Sequence, residues 1–227
     1  MAFYWQGKNV FITGATGFLG SWLAKDLADA GAHVVTLVRD DDPASNFYRL
    51  GLDKRVTVVR GDLVHFFTVE RIFNEYEIDT CFHLAAQPIV PTANRSPLST
   101  FESNIKGSWH ILEAARRSQL LKRLIIASSD KAYGKSDALP YVETAPLTGD
   151  YPYDVSKSCV DLLARSYWQT YRLPLAIARC GNFYGGGDLN WSRIVPGTFR
   201  SLAQGERPII RSDGSCVRDY FYIQDVV

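Results

Sequence analysis

The stretch that most constrains the fold is VFITGATGFLGSWLAKDL, residues 10–27. An apolar β-branched run breaks into glycines there and resumes with a helical pattern. Gly14, Gly17 and Gly20 stand three residues apart, with Phe18 and Leu19 between the last two. Glycine permits a tight turn and lets backbone N–H groups approach a pyrophosphate closely, and the helix N-terminus adds the positive end of its dipole. The spacing G-x-x-G-x-x-G departs from the commoner G-x-G-x-x-G, and glycines alone are weak evidence. The strand–turn–helix setting gives them weight. A turn that needs glycine only for packing is the competing reading.

The rest of the chain repeats this alternation. Further strands are expected at Val34–Val38, Val56–Val59, Thr80–Leu84, Leu124–Ala127 and Leu175–Ala178. Helices are expected near 18–30, 66–76, 97–118 and 152–172. Near-continuous apolar strands separated by helices imply right-handed crossovers and a parallel sheet covered on both faces. The expected class is therefore α/β: a Rossmann-like doubly wound parallel sheet over residues 1–180. Beyond 181, glycine and proline rise in GNFYGGGDLNWSRIVPG, and residues 181–227 are expected to begin a smaller substrate-binding lobe with a returning strand.

With 227 residues and 46% hydrophobic content, the chain can bury one sizeable domain and a small second one. A net charge of +1 gives no sign of a nucleic-acid or membrane-surface partner, and no apolar run reaches the length of a membrane span. The start, MAFYWQGKNVFITG, lacks the basic segment and apolar core of a secretory signal. Cys81, Cys159, Cys180 and Cys216 are scattered without a C-x-x-C pair and read as reduced thiols of a cytoplasmic protein. His33, His65, His83 and His110 form no ligand pattern, so no metal is expected.

The cofactor's ribose should be read where VVTLVRDDD ends. An acid about 20 residues past the glycines favours a free 2′-hydroxyl and hence NAD. Asp40 lies twenty residues after Gly20, but Arg39 beside it can hold the 2′-phosphate of NADP. The acidic run Asp40–Asp42 would repel that phosphate, so NAD is favoured and NADP stays open. Asp62, followed by Leu63 in RGDL, can take the adenine amino group. In HLAAQ, the small residues Ala85 and Ala86, flanked by Leu84 and Gln87, let a cofactor lie against the backbone, although close packing explains them equally well.

Two patterns carry chemistry. In YPYDVSKSCVDLL, Tyr153 and Lys157 are four apart and share a helix face. An ammonium beside a phenol favours the phenolate, which can take an alcohol proton while hydride leaves the same carbon. Tyr151 is a competing phenol, but it lies off the lysine's face. In IIASSDKAYGKS, an apolar strand delivers two hydroxyls, an acid and an amine at its end, either as a solvated loop or as a reaction centre.

Together TGATGFLG, HLAAQ, SSDKAYG, YDVSK and RCGNFYGGGD resemble the extended short-chain dehydrogenase/reductases that modify nucleotide sugars, over essentially the whole chain. That resemblance implies tightly held NAD(P), a reactive set of Ser129, Tyr153 and Lys157, and Ser103 near the cofactor. Ser129 would bond the sugar 4-hydroxyl, Tyr153 would be its base, and Lys157 would tune Tyr153 and hold ribose. S-D-K looks most like the CDP-glucose 4,6-dehydratase branch, where dTDP-glucose dehydratases have T-D-E. By this likeness Asp130 protonates the departing C6 hydroxyl, and Lys131 is the C5 base or stabilises the C4 enolate. Asn182, Arg193 and Arg218 sit where the family holds the diphosphate, and Tyr184 packs on the sugar or only on the fold. The family also pairs helices like those near 97–118 and 152–172 into a homodimer, so their outer faces should be apolar. The chain stops at Val227, short of the family's usual length, and is expected to be truncated relative to it. A nucleotide-sugar 4-epimerase, which needs no acid at position 130, and a non-catalytic dinucleotide-binding module remain the alternatives.

Overall fold

A computed structural model describes residues 2–136, 139–210, 212–215 and 217–227, so the expected thiol of Cys216 lies outside the described residues. Strands β1 (Asn9–Thr13), β2 (His33–Val38), β3 (Thr57–Arg60), β4 (Thr80–His83), β5 (Arg123–Ser129) and β6 (Leu175–Cys180) form one sheet in the order β3-β2-β1-β4-β5-β6. Each neighbouring pair is parallel. The order reverses between β1 and β4, and a crevice opens there beyond the strand ends, where ligands of such sheets bind.

Alternation along β1 divides the core. Val10 and Ile12 turn to one face, with Ala24 and Leu27 of α2 (Phe18–Asp29) and Phe47 of α3 (Asn46–Arg49), the short α1 (Ala2–Trp5) lying at the chain's start. Phe11 turns to the other, against Val69, Ile72 and Phe73 of α4 (Phe66–Glu75). That second cluster continues through α7 (Gly107–Arg117) to Val160 and Ala164 of α8 (Pro152–Tyr171). Both faces are covered over the first strands, as expected. β6 departs from this: Ala176 is exposed and its neighbours along the strand are only half-buried.

The expected helix near 97–118 is two helices joined by an irregular turn. α5 (Val90–Arg95) precedes α6 (Pro97–Phe101), and residues Glu102–Lys106 form a π turn before α7. Past β6, β7 (Asn182–Tyr184) pairs in parallel with β8 (Tyr220–Tyr222), with α9 (Ile194–Ala203) between them and α10 (Ile223–Val226) following. β8 lies in the segment where a returning strand is expected, and it pairs with β7 in a separate two-stranded sheet, apart from the main one.

Candidate active site

The crevice at the strand ends is a cleft of about 860 Å³. Its floor begins at the glycines. Gly14 has φ +74°, and a side chain there would meet Ala85 N at 2.8 Å, so the end of β1 lies directly against the chain leaving β4. At Gly20 an added Cβ would come within 2.1 Å of Gly14 O, which is how closely α2 packs on the turn. Gly17 precedes the first residue of α2 in extended conformation, and no side chain caps the helix. Its first N–H groups therefore remain free for an anion. These features fit a dinucleotide: an uncapped helix end, a glycine floor and a long cleft.

Nearly every residue singled out from the sequence lines this cleft. The set includes Phe18, Leu19, Arg39, Asp40, Asp62, Leu63, Leu84, Ala85, Ala86, Gln87 and Ser103 on the dinucleotide side. Ser129, Asp130, Lys131, Tyr153, Lys157, Asn182 and Arg193 line the remainder. Arg39 donates to Asp40 at 2.6 Å and stands 3.8 Å from Asp62. Two residues stand apart. Arg218 is exposed and turns back to Val217 O at 2.7 Å, outside the cleft lining. Tyr184 packs at 5.7 Å from the Tyr222 ring, within its own small sheet.

The end of β5 answers the question raised by Ser-Ser-Asp-Lys. Successive side chains of a strand point to opposite sides. Ser128 turns away and donates to the buried Asp161 at 2.6 Å. Ser129 turns to the cleft, donates to Asp130 at 2.9 Å and accepts from Lys131 N at 3.2 Å. One hydroxyl is structural, and the other is gathered with the acid and the amine.

Tyr153 and Lys157 share a face of α8, but their electrostatics differ from the expectation. Lys157 is 5% exposed and donates to Ala127 O at 2.7 Å, with its ammonium 6.0 Å from the centre of the Tyr153 ring. Burial lowers its pKa to about 8, against which Cys180 and Asp161 act weakly. Burial likewise pushes the Tyr153 phenol up to about 12, eased by Ser129 beside it and reinforced by Asp130. In this state desolvation outweighs the groups that favour the phenolate, Ser129 first and Arg193 after it, and the phenol keeps its proton.

A buried polar chain behind the site joins Thr13, His83 and Ser156, which lie within the quoted motifs but drew no role from them, to Asn104 and Ser108, which lie outside them. His83, 2% exposed, meets Thr13 Oγ1 and Ser108 Oγ, each at 2.8 Å. Ser108 donates onward to Asn104 O, so His83 Nε2 carries the proton and Nδ1 accepts from Thr13. Burial first, and Lys157 second, push the His83 pKa down to about 3, which keeps the ring neutral. Thr13 Oγ1 then accepts from Leu84 N and Ala85 N, both at 3.1 Å. Asn104, inside the π turn, accepts from Gln87 N at 2.7 Å and donates to Ser156 Oγ at 2.9 Å. Ser156 in turn donates to Tyr153 O at 2.6 Å. The loop after β4 and the start of α8 are thus tied together. The one available signal was placement: a histidine ending an apolar strand and an asparagine opening a helix's buried face.

Among the described residues there is no cluster of His, Cys, Asp and Glu able to hold a metal ion, and no helix long and apolar enough to cross a membrane.

Known proteins resemble this chain in sequence and in fold. The chain is 33% identical over 220 residues to CDP-glucose 4,6-dehydratase of Salmonella typhimurium, covering 92% of this chain and 61% of that protein. It is 32% identical to dTDP-glucose 4,6-dehydratase of Streptomyces antibioticus, covering 96% and 65% respectively. Among solved structures, UDP-glucose 4-epimerase of Thermotoga maritima with UDP-glucose superimposes with a TM-score of 0.86 at 28% identity, over 96% of this chain and 70% of that one. The dTDP-glucose 4,6-dehydratase of Streptomyces venezuelae with NAD bound gives 0.84 at 27% identity, over 96% and 69%. The chain therefore spans less than two thirds of the length of these two dehydratase relatives. The model of the NAD dependent epimerase/dehydratase family matches residues 10–227, and with the glycine floor, the Ser129–Tyr153–Lys157 grouping and these likenesses, the chain belongs to that family.

Proposed function

We propose that this chain is the NAD-binding and catalytic part of a nucleotide-sugar 4,6-dehydratase acting on a nucleoside diphosphate hexose such as CDP-glucose. The observation that carries the reading is that Asp130 and Lys131 are gathered with Ser129 in the cleft that Tyr153 and Lys157 also line. A 4-epimerase needs only the last three groups, whereas loss of water also needs an acid for the leaving hydroxyl and a base for the C5 proton.

Gly14, Gly17 and the open end of α2 would hold the pyrophosphate, and Asp40 the adenosine ribose. Arg39 is already engaged by Asp40 and Asp62, which favours NAD over NADP. NAD, when bound, would supply a hydride acceptor for C4 and a hydride donor for C6. Ser129 orients the 4-hydroxyl, and Tyr153, once ionised, takes its proton; the raised pKa of the free chain makes that ionisation a step that binding must favour. Lys157 holds the nicotinamide ribose and supplies positive charge on the phenol's face. The C4 ketone acidifies the C5 proton, which Lys131 removes while Asp130 protonates the departing C6 hydroxyl, and Lys131 returns that proton to C5 as C6 receives hydride. Asn182 and Arg193 contact the diphosphate.

Epimerization at C4 is the second reading, supported by the epimerase likeness at a TM-score of 0.86. A homodimer through α7 and α8 is also proposed, since Trp109, Leu162, Trp168 and Tyr171 are exposed on those helices. The deciding experiment is mass spectrometry of CDP-glucose incubated with the chain and NAD. Loss of one water supports the dehydratase. A 4-epimer of unchanged mass supports the epimerase. Bound NAD with unaltered sugar, repeated on a longer chain carrying a family-type C-terminal region, points to a binding module.

A further inference from the structure

A charged knot lies beneath the reactive turn, and none of the roles above uses it. Asp161 on α8 is fully buried. Its carboxylate accepts from Ser128 Oγ at 2.6 Å and from Arg179 Nη2 at 2.7 Å, with Arg179 Nε at 3.2 Å from both oxygens. Arg179 on β6 then reaches forward with Nη1, donating to Tyr133 OH at 2.9 Å and Glu143 O at 2.8 Å. Its guanidinium also sits 4.9 Å from the centre of the Tyr133 ring.

The places these bonds reach are what matter. Ser128 immediately precedes Ser129, Asp130 and Lys131, and Tyr133 closes the short 3₁₀ turn Asp130–Tyr133 that carries the acid and the amine. Ser158, also on α8, donates to Ala132 O at 3.0 Å within the same turn. Beyond it, Tyr133 stacks on Tyr141 at 4.8 Å, and Thr148 donates to Tyr133 O at 2.7 Å. A buried ion pair is seldom the best source of stability, since apolar residues of similar volume often serve as well. What the planar five-donor guanidinium adds is geometry: one edge grips the carboxylate while the remaining nitrogen bonds elsewhere, which a lysine cannot do.

We propose that Asp161 and Arg179 are positioning residues that clamp both ends of the reactive turn, through Ser128 before it and Tyr133 after it. The clamp fixes the Ser129 hydroxyl relative to Asp130 and Lys131. It rests on the dehydratase reading for its consequence in catalysis, but not for its structural effect. Misplacement of reacting groups by about 1 Å can cost on the order of a hundredfold in rate.

The test uses Tyr133→Phe, which removes one acceptor and keeps the ring stack, and Arg179→Lys, which keeps the charge and loses the fork. Amide hydrogen exchange is followed peptide by peptide, beside kcat and KM for water loss. Exchange across residues 129–134 is expected to quicken about tenfold or more in both variants, with distant peptides unchanged. In the same variants kcat should fall about tenfold or more, with KM held within about threefold. Unchanged exchange across that turn overturns the proposal. So does a rise spread evenly over the protein, which would make the knot a general staple. A kcat held at the parent value despite faster local exchange also overturns it. If the parent protein turns over no nucleotide sugar, the dehydratase reading fails separately, and the exchange result alone decides whether the clamp exists.

Discussion

Asp130 bears most of the difference between the two enzymatic readings. Replacing it by Asn keeps the shape and the bond to Ser129 but removes the proton donor. Asp130→Asn should abolish water loss while C4 oxidation continues, so reduced cofactor accumulates on the protein and is seen by its absorbance. Unimpaired dehydration in that variant would remove the assignment. Lys157 makes a second prediction. Its pKa in the folded chain, about 8, lies below the ordinary lysine value of 10.5. Between those values the unfolded chain binds more protons than the folded one, so this group makes stability rise with pH across that window and weighs fully against folding below it. Nitrogen-15 resonances of the free protein should show one lysine titrating near 8, lost in Lys157→Met. A spectrum in which every lysine titrates at the ordinary value would contradict it. The Tyr153–Lys157 pair was readable because a four-residue spacing on a helix is a geometric fact. The phenol's raised pKa was not, because it depends on burial supplied by distant segments.

The turn between β1 and α2 is similarly demanding. A methyl at position 20 would lie 2.1 Å from Gly14 O, a contact that only displacement of the helix relieves. Gly20→Ala should destabilise the fold by about 1–3 kcal/mol, the usual cost of overpacking. NAD affinity should weaken with it, since the open helix end moves off the glycine floor. Denaturant titration with and without NAD checks both effects, and an unchanged midpoint would show that the turn tolerates the methyl. The strands and long helices were foreseeable because hydrophobic periodicity of 2 or 3.6 survives in a single sequence. The π turn at Glu102–Lys106 was not, because one inserted residue shifts the phase without leaving a composition signal. Asn104 sits within that shift, which is why a polar residue could enter the buried face and join the loop after β4 to α8. Arg218 differs: the stretch RDYFYIQDVV resembles the family closely, and the side chain lies outside the cleft lining here.

At the scale of the whole molecule, a six-stranded parallel sheet is followed by a separate two-stranded one. The parallel α/β class followed from the alternation of strands and helices, and the sheet bears it out. The uneven cover of β6 could not be foreseen, because an apolar strand looks the same whether one face or both are packed. Exposed aromatic and aliphatic side chains on α7 and α8 should drive self-association, as apolar patches of this kind commonly do. Sedimentation should give a dimer, and Leu162→Glu should shift it toward monomer without loss of helix content. An exclusively monomeric parent would count against that surface. The strand order also sets how such a chain can assemble as it is made. β1, β2 and β3 form one half from the first 60 residues, after which β4 joins the free edge of β1, and β5 and β6 each join the strand before. No later strand has to wedge between two that are already paired. A nascent chain emerging from the ribosome can therefore extend its sheet in the order of synthesis, with the edge of β1 left open until β4 arrives.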